Sequence, residues 1–190
     1  MRFTLIALGI GFVLALALGG RPRHLADRSF TWWLLLPAGL ALQVVAAQTH
    51  ASTPPLVLLL ASYGCLVGFA TANLRLTGMW MVVLGFVMNA IVIGANHGMP
   101  VGRSALRTVG AHASVQSAKH HGERSSDKLT FLADIIPVTP LGEILSFGDM
   151  ILAVGVIDVL VHLMRPPTRR KLEKELAGVQ SLPSSSELFS

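Results

Sequence analysis

Five long apolar segments, separated by shorter polar ones, dominate the pattern of this chain. They cover residues 3–19, 32–48, 56–73, 79–95 and 146–164. Each is close to the roughly 20 residues that an α-helix needs to cross a hydrocarbon core of about 30 Å. The pattern therefore predicts an all-α protein, a polytopic transmembrane bundle of about five helices, with a loop over residues 96–145 before the last helix.

The composition also favours a membrane protein. Of the 190 residues, 52% are hydrophobic and only 13% are charged, and the mean hydropathy is +0.62. A soluble domain of this size needs more charge on its surface. The net charge is +5. The basic residues lie beside the apolar segments and form no pattern of alternating basic and aromatic residues, so no nucleic-acid partner is predicted. The single cysteine, Cys65, excludes an intrachain disulfide and a CxxC metal pair.

Basic residues flank the apolar segments unevenly. With the N-terminus outside the cell, the loop after the first segment, the turn at Arg75 and the C-terminal tail all lie inside. They carry nine Lys or Arg, against six on the outer side. Cytoplasmic loops are enriched in Lys and Arg, so this orientation is predicted. The charges follow the first segment, which favours an uncleaved helix over a signal peptide.

The tail at residues 165–190 follows the predicted membrane domain at residues 1–164. Its basic residues are Arg165, Arg169, Arg170, Lys171 and Lys174. Such juxtamembrane clusters bind anionic lipid headgroups, and the Ser-rich end is predicted to be disordered. Trp32, Trp33 and Trp80 lie beside the cytoplasmic ends of their segments, where indoles favour the membrane interface.

Small residues recur at every fourth position in two of the segments. In the first and third segments they are Ala7, Gly11, Ala15, Gly19, Gly64, Gly68 and Ala72. This spacing places small side chains on one helix face, where another helix backbone can approach closely. We expect tight helix packing along both stripes, either within the chain or against a membrane protein partner.

The fourth segment ends on Asn96-His97-Gly98-Met99-Pro100, which has two interpretations. In the first, Gly98 supplies a left-handed C-cap and Pro100 prevents the helix from continuing. The asparagine and histidine then bond the last carbonyl groups, and no ligand is involved. In the second, the same residues belong to a binding site.

The second interpretation adds residues that the predicted topology places at the same membrane face. Ser146 and Asp149 fit a Ser-x-x-Asp helix start there, and Asp134 can fold back to the same rim. Imidazole with thioether suits copper, and imidazole with carboxylate suits zinc or iron. The candidate metal ligands are His97, Met99 and His112. Their spacing matches no regular metal motif, so no cofactor is predicted, although a metal or haem stays open.

Polar residues inside the apolar segments are a second set of candidates. Asp158 falls near the middle of the last segment, where a carboxylate is unfavourable by roughly 2.5–3.5 kcal/mol. His162 is one helical turn further on the same face, so an Asp–His contact is available. Asn89 is a candidate interhelical partner. The pair either handles protons or a ligand, or is a structural contact of a protonated Asp158; both interpretations stay open.

The next question is how deeply the segment before the last helix enters the membrane. Residues 129–136 are apolar but too short to span a membrane, and Pro137 and Pro140 follow. We expect an interfacial or re-entrant element rather than a sixth crossing. Whether residues 129–145 enter the bilayer is left open by the sequence.

Three motifs give the chain a resemblance to a known family. They are NHGMPV at residues 96–101, FLADIIPVTP at 131–140 and SFGDMILAVG at 146–155. In this order they resemble the motifs of a family of small bacterial polytopic membrane proteins that is known as a domain of unknown function. The family's first motif resembles Asn-Gly-Gly-x-Met-Pro: His97 departs from it, and the spacing here is one residue shorter. Asp134 and Asp149 match its other two motifs. The resemblance implies a five-helix inner-membrane protein with these motifs near one face, and supplies no activity.

The sequence therefore predicts a small non-enzymatic membrane component that binds a partner protein, lipid or small ligand at its extracytoplasmic face. The predicted site comprises Asn96, His97, Met99, Pro100, Asp134, Ser146 and Asp149. One alternative is a membrane enzyme, or a metal or haem redox protein, that uses His97, His112, Asp134 and Asp149. A second alternative is a small transporter that uses Asp158, because an ionisable residue within a membrane segment often marks a transport pathway.

Overall fold

The computed structural model describes residues 2–26, 28–48, 54–109, 120–122, 124 and 127–165. Its α-helices are α1 (Arg2–Ala17), α2 (Arg23–Ala26), α3 (Leu35–Gln48), α4 (Pro54–Ala72), α5 (Met79–Asn96), α6 (Arg103–Val109) and α7 (Phe147–Met164). Its strands are β1 (Met99–Val101), β2 (His120–Gly122), β3 (Ile136–Val138) and β4 (Glu143–Leu145). The described chain is thus mostly helical, as the sequence predicts, and each of the five apolar segments contains a long helix.

The start of α3 differs most from its predicted position. The sequence predicts a helix from Trp32, but Trp32 has a left-handed backbone (φ 53°) and the helix begins at Leu35. Pro37 therefore falls in the first turn, where the missing N–H is not needed for an intrahelical hydrogen bond, and it causes no internal break.

The five long helices form a single row. Helix α3 packs on α4, α4 on α5, α5 on α7, and α7 on α1. Because neighbours flank each helix within the row, apolar side chains remain exposed on the broad faces. Among them are Leu5, Val13, Leu40, Val45, Val57, Leu84, Ile91 and Val154.

Two of these helices, α5 and α7, are long and apolar enough to cross a membrane by length and composition. The apolar helical parts of α1, α3 and α4 are shorter and cover Phe3–Ala17, Leu35–Gln48 and Leu56–Ala72. The coarse prediction of apolar helices of membrane length is confirmed for this pair of helices.

Glycines bring α7 close to both of its neighbours. A Cβ on Gly85 of α5 would lie 2.7 Å from the carbonyl oxygen of Gly148, and one on Gly11 of α1 would lie 3.1 Å from Cα of Ile157. Ala7 and Ala15 are buried on the same face of α1. The first predicted stripe is therefore a helix interface within the chain.

Each of the two predicted stripes of small residues contains a glycine that lies outside a helix contact. Gly19 is exposed with φ 79°, and Gly20 makes the close contact with Met164 instead. On α4, Gly64 is exposed, and a Cβ placed there would meet open space. Helix α4 contacts α3 elsewhere, where Gly39 of α3 packs on Leu66 of α4. The closest approach of this pair is at Gly39 of α3, whereas Gly68 of the predicted stripe makes a looser contact: a Cβ there would lie 3.3 Å from Cδ1 of Leu35.

One end of the row carries a small folded region, which we call the cap (the described residues among 97–146). In it, β1 pairs in parallel with β2, and β3 pairs antiparallel with β4. Val101 also forms a parallel bridge with Asp134, and α6 packs on β3 and β4. The predicted loop at residues 96–145 thus contains two small sheets, which an all-α description leaves out.

The opposite end of the row is arginine-rich, and we call it the arginine end (the described residues among 18–31, 73–78 and 165). The N–H of Arg21 donates to the carbonyl oxygen of Met164 at 2.8 Å, which closes α1 onto the end of α7. At the cap end, the N–H of Phe3 donates to Oε2 of Glu143 at 3.0 Å. One hydrogen bond therefore joins α1 to α7 at the arginine end, and another joins α1 to β4 at the cap end.

Candidate functional site

The three motif segments meet in the cap. The N–H of Asp134 donates to the carbonyl oxygen of Pro100 at 3.1 Å, and the N–H of Gly102 donates to that of Asp134 at 2.9 Å. The N–H of Ile135 donates to the carbonyl oxygen of Leu145 at 3.2 Å, directly before Ser146. The expectation that Asp134 folds back to the end of α5 agrees with these contacts.

The C-cap of α5 falls one residue earlier than predicted. His97 has the left-handed conformation (φ 56°, ψ 32°), and its N–H donates to the carbonyl oxygen of Ile93. Gly98 follows with φ 148°, and its N–H donates to the same carbonyl at 3.0 Å. The helix therefore ends on a histidine in a conformation that favours glycine, with the side chain exposed.

Asn96 binds backbone rather than an open pocket. Its Oδ1 accepts the N–H of Lys128 at 2.7 Å, and its Nδ2 donates to the carbonyl oxygens of Lys128 at 2.8 Å and Val92 at 3.0 Å. The side chain is 8% exposed. Both amide atoms thus fasten the segment at Lys128 to the last turn of α5.

Met99 and Pro100 are packing residues in this structure. Met99 is fully buried in an apolar cluster with Val92, Ile93 and Ala133, and Pro100 is also fully buried. A thioether enclosed by hydrocarbon stabilises the contact between α5 and the cap. Met99, which the sequence-based site includes as a binding candidate at this membrane face, is thus enclosed within the fold.

Ser146, Asp149 and Asn89 form a closed set of hydrogen bonds between α7 and α5. Ser146 Oγ donates to Oδ1 of Asn89 at 3.0 Å, and Nδ2 of Asn89 donates to Oδ1 of Asp149 at 2.8 Å. The predicted Ser-x-x-Asp start is a capping box, in which the N–H of Asp149 donates to Ser146 Oγ at 3.0 Å and the N–H of Ser146 to Oδ2 of Asp149 at 3.3 Å. Asn89 is 1% exposed, so the helix start is joined to a buried amide.

The predicted pair in α7 is formed at the other end of the row. Nδ1 of His162 lies 3.0 Å from Oδ1 of Asp158, and the two side chains are 40% and 36% exposed. Asp158 also packs on Gly78, since a Cβ there would lie 2.8 Å from its Oδ2. Asn89 is therefore not its partner, because the register of α5 against α7 places the carboxylate beside the turn before α5.

The structure describes only two of the three candidate metal ligands, His97 and Met99. Within the described part of the chain, no group of three or more His, Cys, Asp or Glu side chains is placed to hold a metal ion. His112 lies outside the described residues, and the backbone of His120 and His121 belongs to β2. Of the basic tail cluster only Arg165 is described; the other members, Arg169, Arg170, Lys171 and Lys174, lie beyond it.

Sequence reasoning missed Asn73, which repeats the contacts of Asn96 at the arginine end. Its Oδ1 accepts the N–H of Thr31 at 2.9 Å, and its Nδ2 donates to the carbonyl oxygens of Thr31 and Phe69, each at 2.8 Å. The signal in the sequence was an asparagine at the end of an apolar segment, the same position that Asn96 occupies.

Comparison with known protein families assigns the chain to one of them. The model of a family described as a family of unknown function, DUF5317, matches residues 27–161. These residues include the helices α3 to α6, the described cap and most of α7. The chain belongs to this family, which confirms the resemblance to a domain of unknown function. Comparisons with curated proteins and with solved structures found no match.

Proposed function

We propose that this protein is a multi-pass integral membrane protein of the bacterial cytoplasmic membrane, with five crossing helices. The observation that carries the proposal is the single row of apolar helices, whose faces expose large hydrocarbon side chains. On α1, for example, Leu5 is 67% and Val13 is 65% exposed. Contiguous apolar surface on this scale is unfavourable in water and is the normal surface of a helix in lipid.

The charges at the two ends support an orientation with the cap outside. The arginine end contains Arg21, Arg23, Arg28, Arg75 and Arg165. The described cap contains four basic residues, Arg103, Arg107, Arg124 and Lys128, and over the whole sequence the proposed inner side carries nine Lys or Arg against six on the outer side. Because Lys and Arg are enriched on the cytoplasmic side, the arginine end and the C-terminus face the cytoplasm.

Cysteine labelling of intact cells tests both the insertion and the orientation. In a Cys65→Ser background, Thr108→Cys in the cap should react with a membrane-impermeant maleimide from outside. Ser29→Cys at the arginine end should react only after the cells are permeabilised; both positions are exposed. Labelling of Ser29→Cys but not Thr108→Cys in intact cells would reverse the orientation. Release of the protein by carbonate washing would refute membrane insertion.

We propose further that the protein is a non-enzymatic component whose cap binds a partner protein, lipid or small ligand. The support is that Asn89, Asn96, Ser146 and Asp149 donate and accept hydrogen bonds that fix the cap on the helices. Side chains that are engaged in hydrogen bonds of the fold are suited to fixing the conformation of a binding surface. The variants Asp134→Asn and Asp149→Asn test this role, since a catalytic role requires their carboxylates and a loss of turnover would support an enzyme.

A small transporter is the second candidate, and the Asp158–His162 contact favours it. A carboxylate and an imidazole at 3.0 Å can exchange a proton. In liposomes, a proton flux carried by this pair should be lost in Asp158→Asn and kept in Asp127→Asn, whose side chain lies in the cap. A flux unchanged by Asp158→Asn would remove this candidate.

A further inference from the structure

Three exposed tryptophans lie next to the chain segments that form the arginine end, which also contains Arg75. Trp32, Trp33 and Trp80 are 66%, 61% and 60% exposed. Phe30 and Leu35, which bracket the first two, pack in the same apolar cluster as Leu76 and Met79, which lie next to Arg75 and Trp80. The indoles from two separate parts of the chain therefore flank one buried cluster while remaining outside it.

The turn that presents Trp32 and Trp33 is held from within. Asn73 binds both the N–H and the carbonyl oxygen of Thr31, and Nη2 of Arg75 donates to the carbonyl oxygen of Ser29 at 3.3 Å and to Oγ1 of Thr31 at 3.4 Å. The chain then enters the left-handed conformation at Trp32, which is unfavourable for a bulky residue. The result is a fixed turn that directs adjacent indoles outward.

The exposed groups have complementary preferences. Indole rings favour the boundary between headgroups and acyl chains, because one edge can hydrogen-bond while the ring is apolar. Guanidinium groups bind phosphate through several N–H donors in a fixed plane. The side chain of Arg75 is exposed. Its hydrogen bonds to the described residues use Nη2, so its other nitrogen donors make no hydrogen bond within that part of the chain.

We infer that this surface is a binding site for the headgroup of an anionic phospholipid. Arg75 binds the phosphate, and Trp32, Trp33 and Trp80 pack at the glycerol level around it. The inference rests on the proposed membrane insertion and names a lipid site in the folded part of the chain. It is distinct from the basic tail cluster, which extends beyond the described residues.

Native mass spectrometry of the full-length protein in mild detergent tests the site. Dioleoylphosphatidylglycerol and dioleoylphosphatidylcholine are added at equal concentration, and the retained lipid is identified. The wild type should retain phosphatidylglycerol preferentially, and Arg75→Gln should lower that preference about fivefold, the effect of one basic residue at an anionic surface. Arg107→Gln in the cap is the matched control and should leave it unchanged.

Two further variants distinguish this site from the basic tail cluster and cover the case in which Arg75→Gln does not fold. The inference would be overturned if Arg75→Gln kept the wild-type lipid preference. It would also be overturned if the preference were lost only in a variant of the tail cluster, which would then be the binding site; in that variant Gln replaces Arg169, Arg170, Lys171 and Lys174. If Arg75→Gln does not fold, Trp33→Leu decides: weaker retention supports the site, and unchanged retention overturns it. Failure of membrane insertion appears separately, in the carbonate and cysteine-labelling experiments.

Discussion

At the scale of single residues, His97 is in the least favourable backbone conformation of the candidate site. A left-handed conformation is unfavourable by about 1–2 kcal/mol for a residue with a Cβ. The exposed imidazole has little packing to lose, so His97→Gly should raise the free energy of unfolding by about 1 kcal/mol. Thermal unfolding in mild detergent measures this change.

The variant His97→Ala separates the backbone effect from any role of the imidazole. It removes the ring but keeps the Cβ, so its stability should stay near that of the wild type. If the two variants lose stability equally, the imidazole itself contributes, and the interpretation of this position as a helix cap fails.

Gly148 is the residue on which the contact between α5 and α7 depends most directly. A Cβ there would overlap Oδ1 of Asn89, which accepts the hydrogen bond from Ser146. Gly148→Ala should therefore lower stability by about 2 kcal/mol or more, through overpacking and the loss of a buried hydrogen bond.

Gly64→Ala is the matched control for this substitution. It lies on an exposed face of α4 with open space around it, and alanine is the better helix former by about 1 kcal/mol. Its melting temperature should be unchanged or higher. Equal losses in both variants would mean that the α5–α7 contact is not selective for glycine.

At the scale of elements, two asparagines fasten chain segments to helix ends at opposite ends of the row. Asn96 holds Lys128, and Asn73 holds Thr31, each through both backbone polar groups of its target. Asn96→Leu should speed amide hydrogen exchange around residue 128 at least about fivefold, which corresponds to losing about 1 kcal/mol of local stability. Exchange around residue 31 should stay unchanged.

The reciprocal variant Asn73→Leu should reverse this pattern, with faster exchange around residue 31 and unchanged exchange around residue 128. Each variant thus serves as the control for the other. Faster exchange at both segments in either variant would show that the two ends of the molecule unfold together rather than through separate clamps.

At the scale of the whole molecule, we expect a protein without a bound redox centre, because the spacing of His97, Met99 and His112 matches no regular metal motif. Met99 is enclosed by hydrocarbon, and the polar groups of Asn96, Ser146 and Asp149 are engaged in hydrogen bonds of the fold. The purified full-length protein should be colourless, and elemental analysis should find no stoichiometric metal. A haem band or one metal per chain would instead support the redox alternative, with His97 and His112 as the next residues to change.

The positions of the five apolar helices, apart from the late start of α3, and the start of α7 could be predicted from the sequence alone. Apolar segments near membrane length and a Ser-x-x-Asp pattern are local signals, because a helix and its capping box are built from residues close together in the chain. The same local pattern placed Asp158 and His162 within one turn of each other, and the structure has that contact.

The contacts among the polar residues, in contrast, depend on tertiary packing. Whether Asn89 lies beside Asp158 or beside Ser146 and Asp149 depends on how far α7 is shifted along α5, and the close approach at Gly85 and Gly148 sets that shift. Similarly, the clamps at Thr31 and Lys128 join residues 42 and 32 positions apart. Such contacts depend on packing between distant segments, which no local spacing in the sequence encodes.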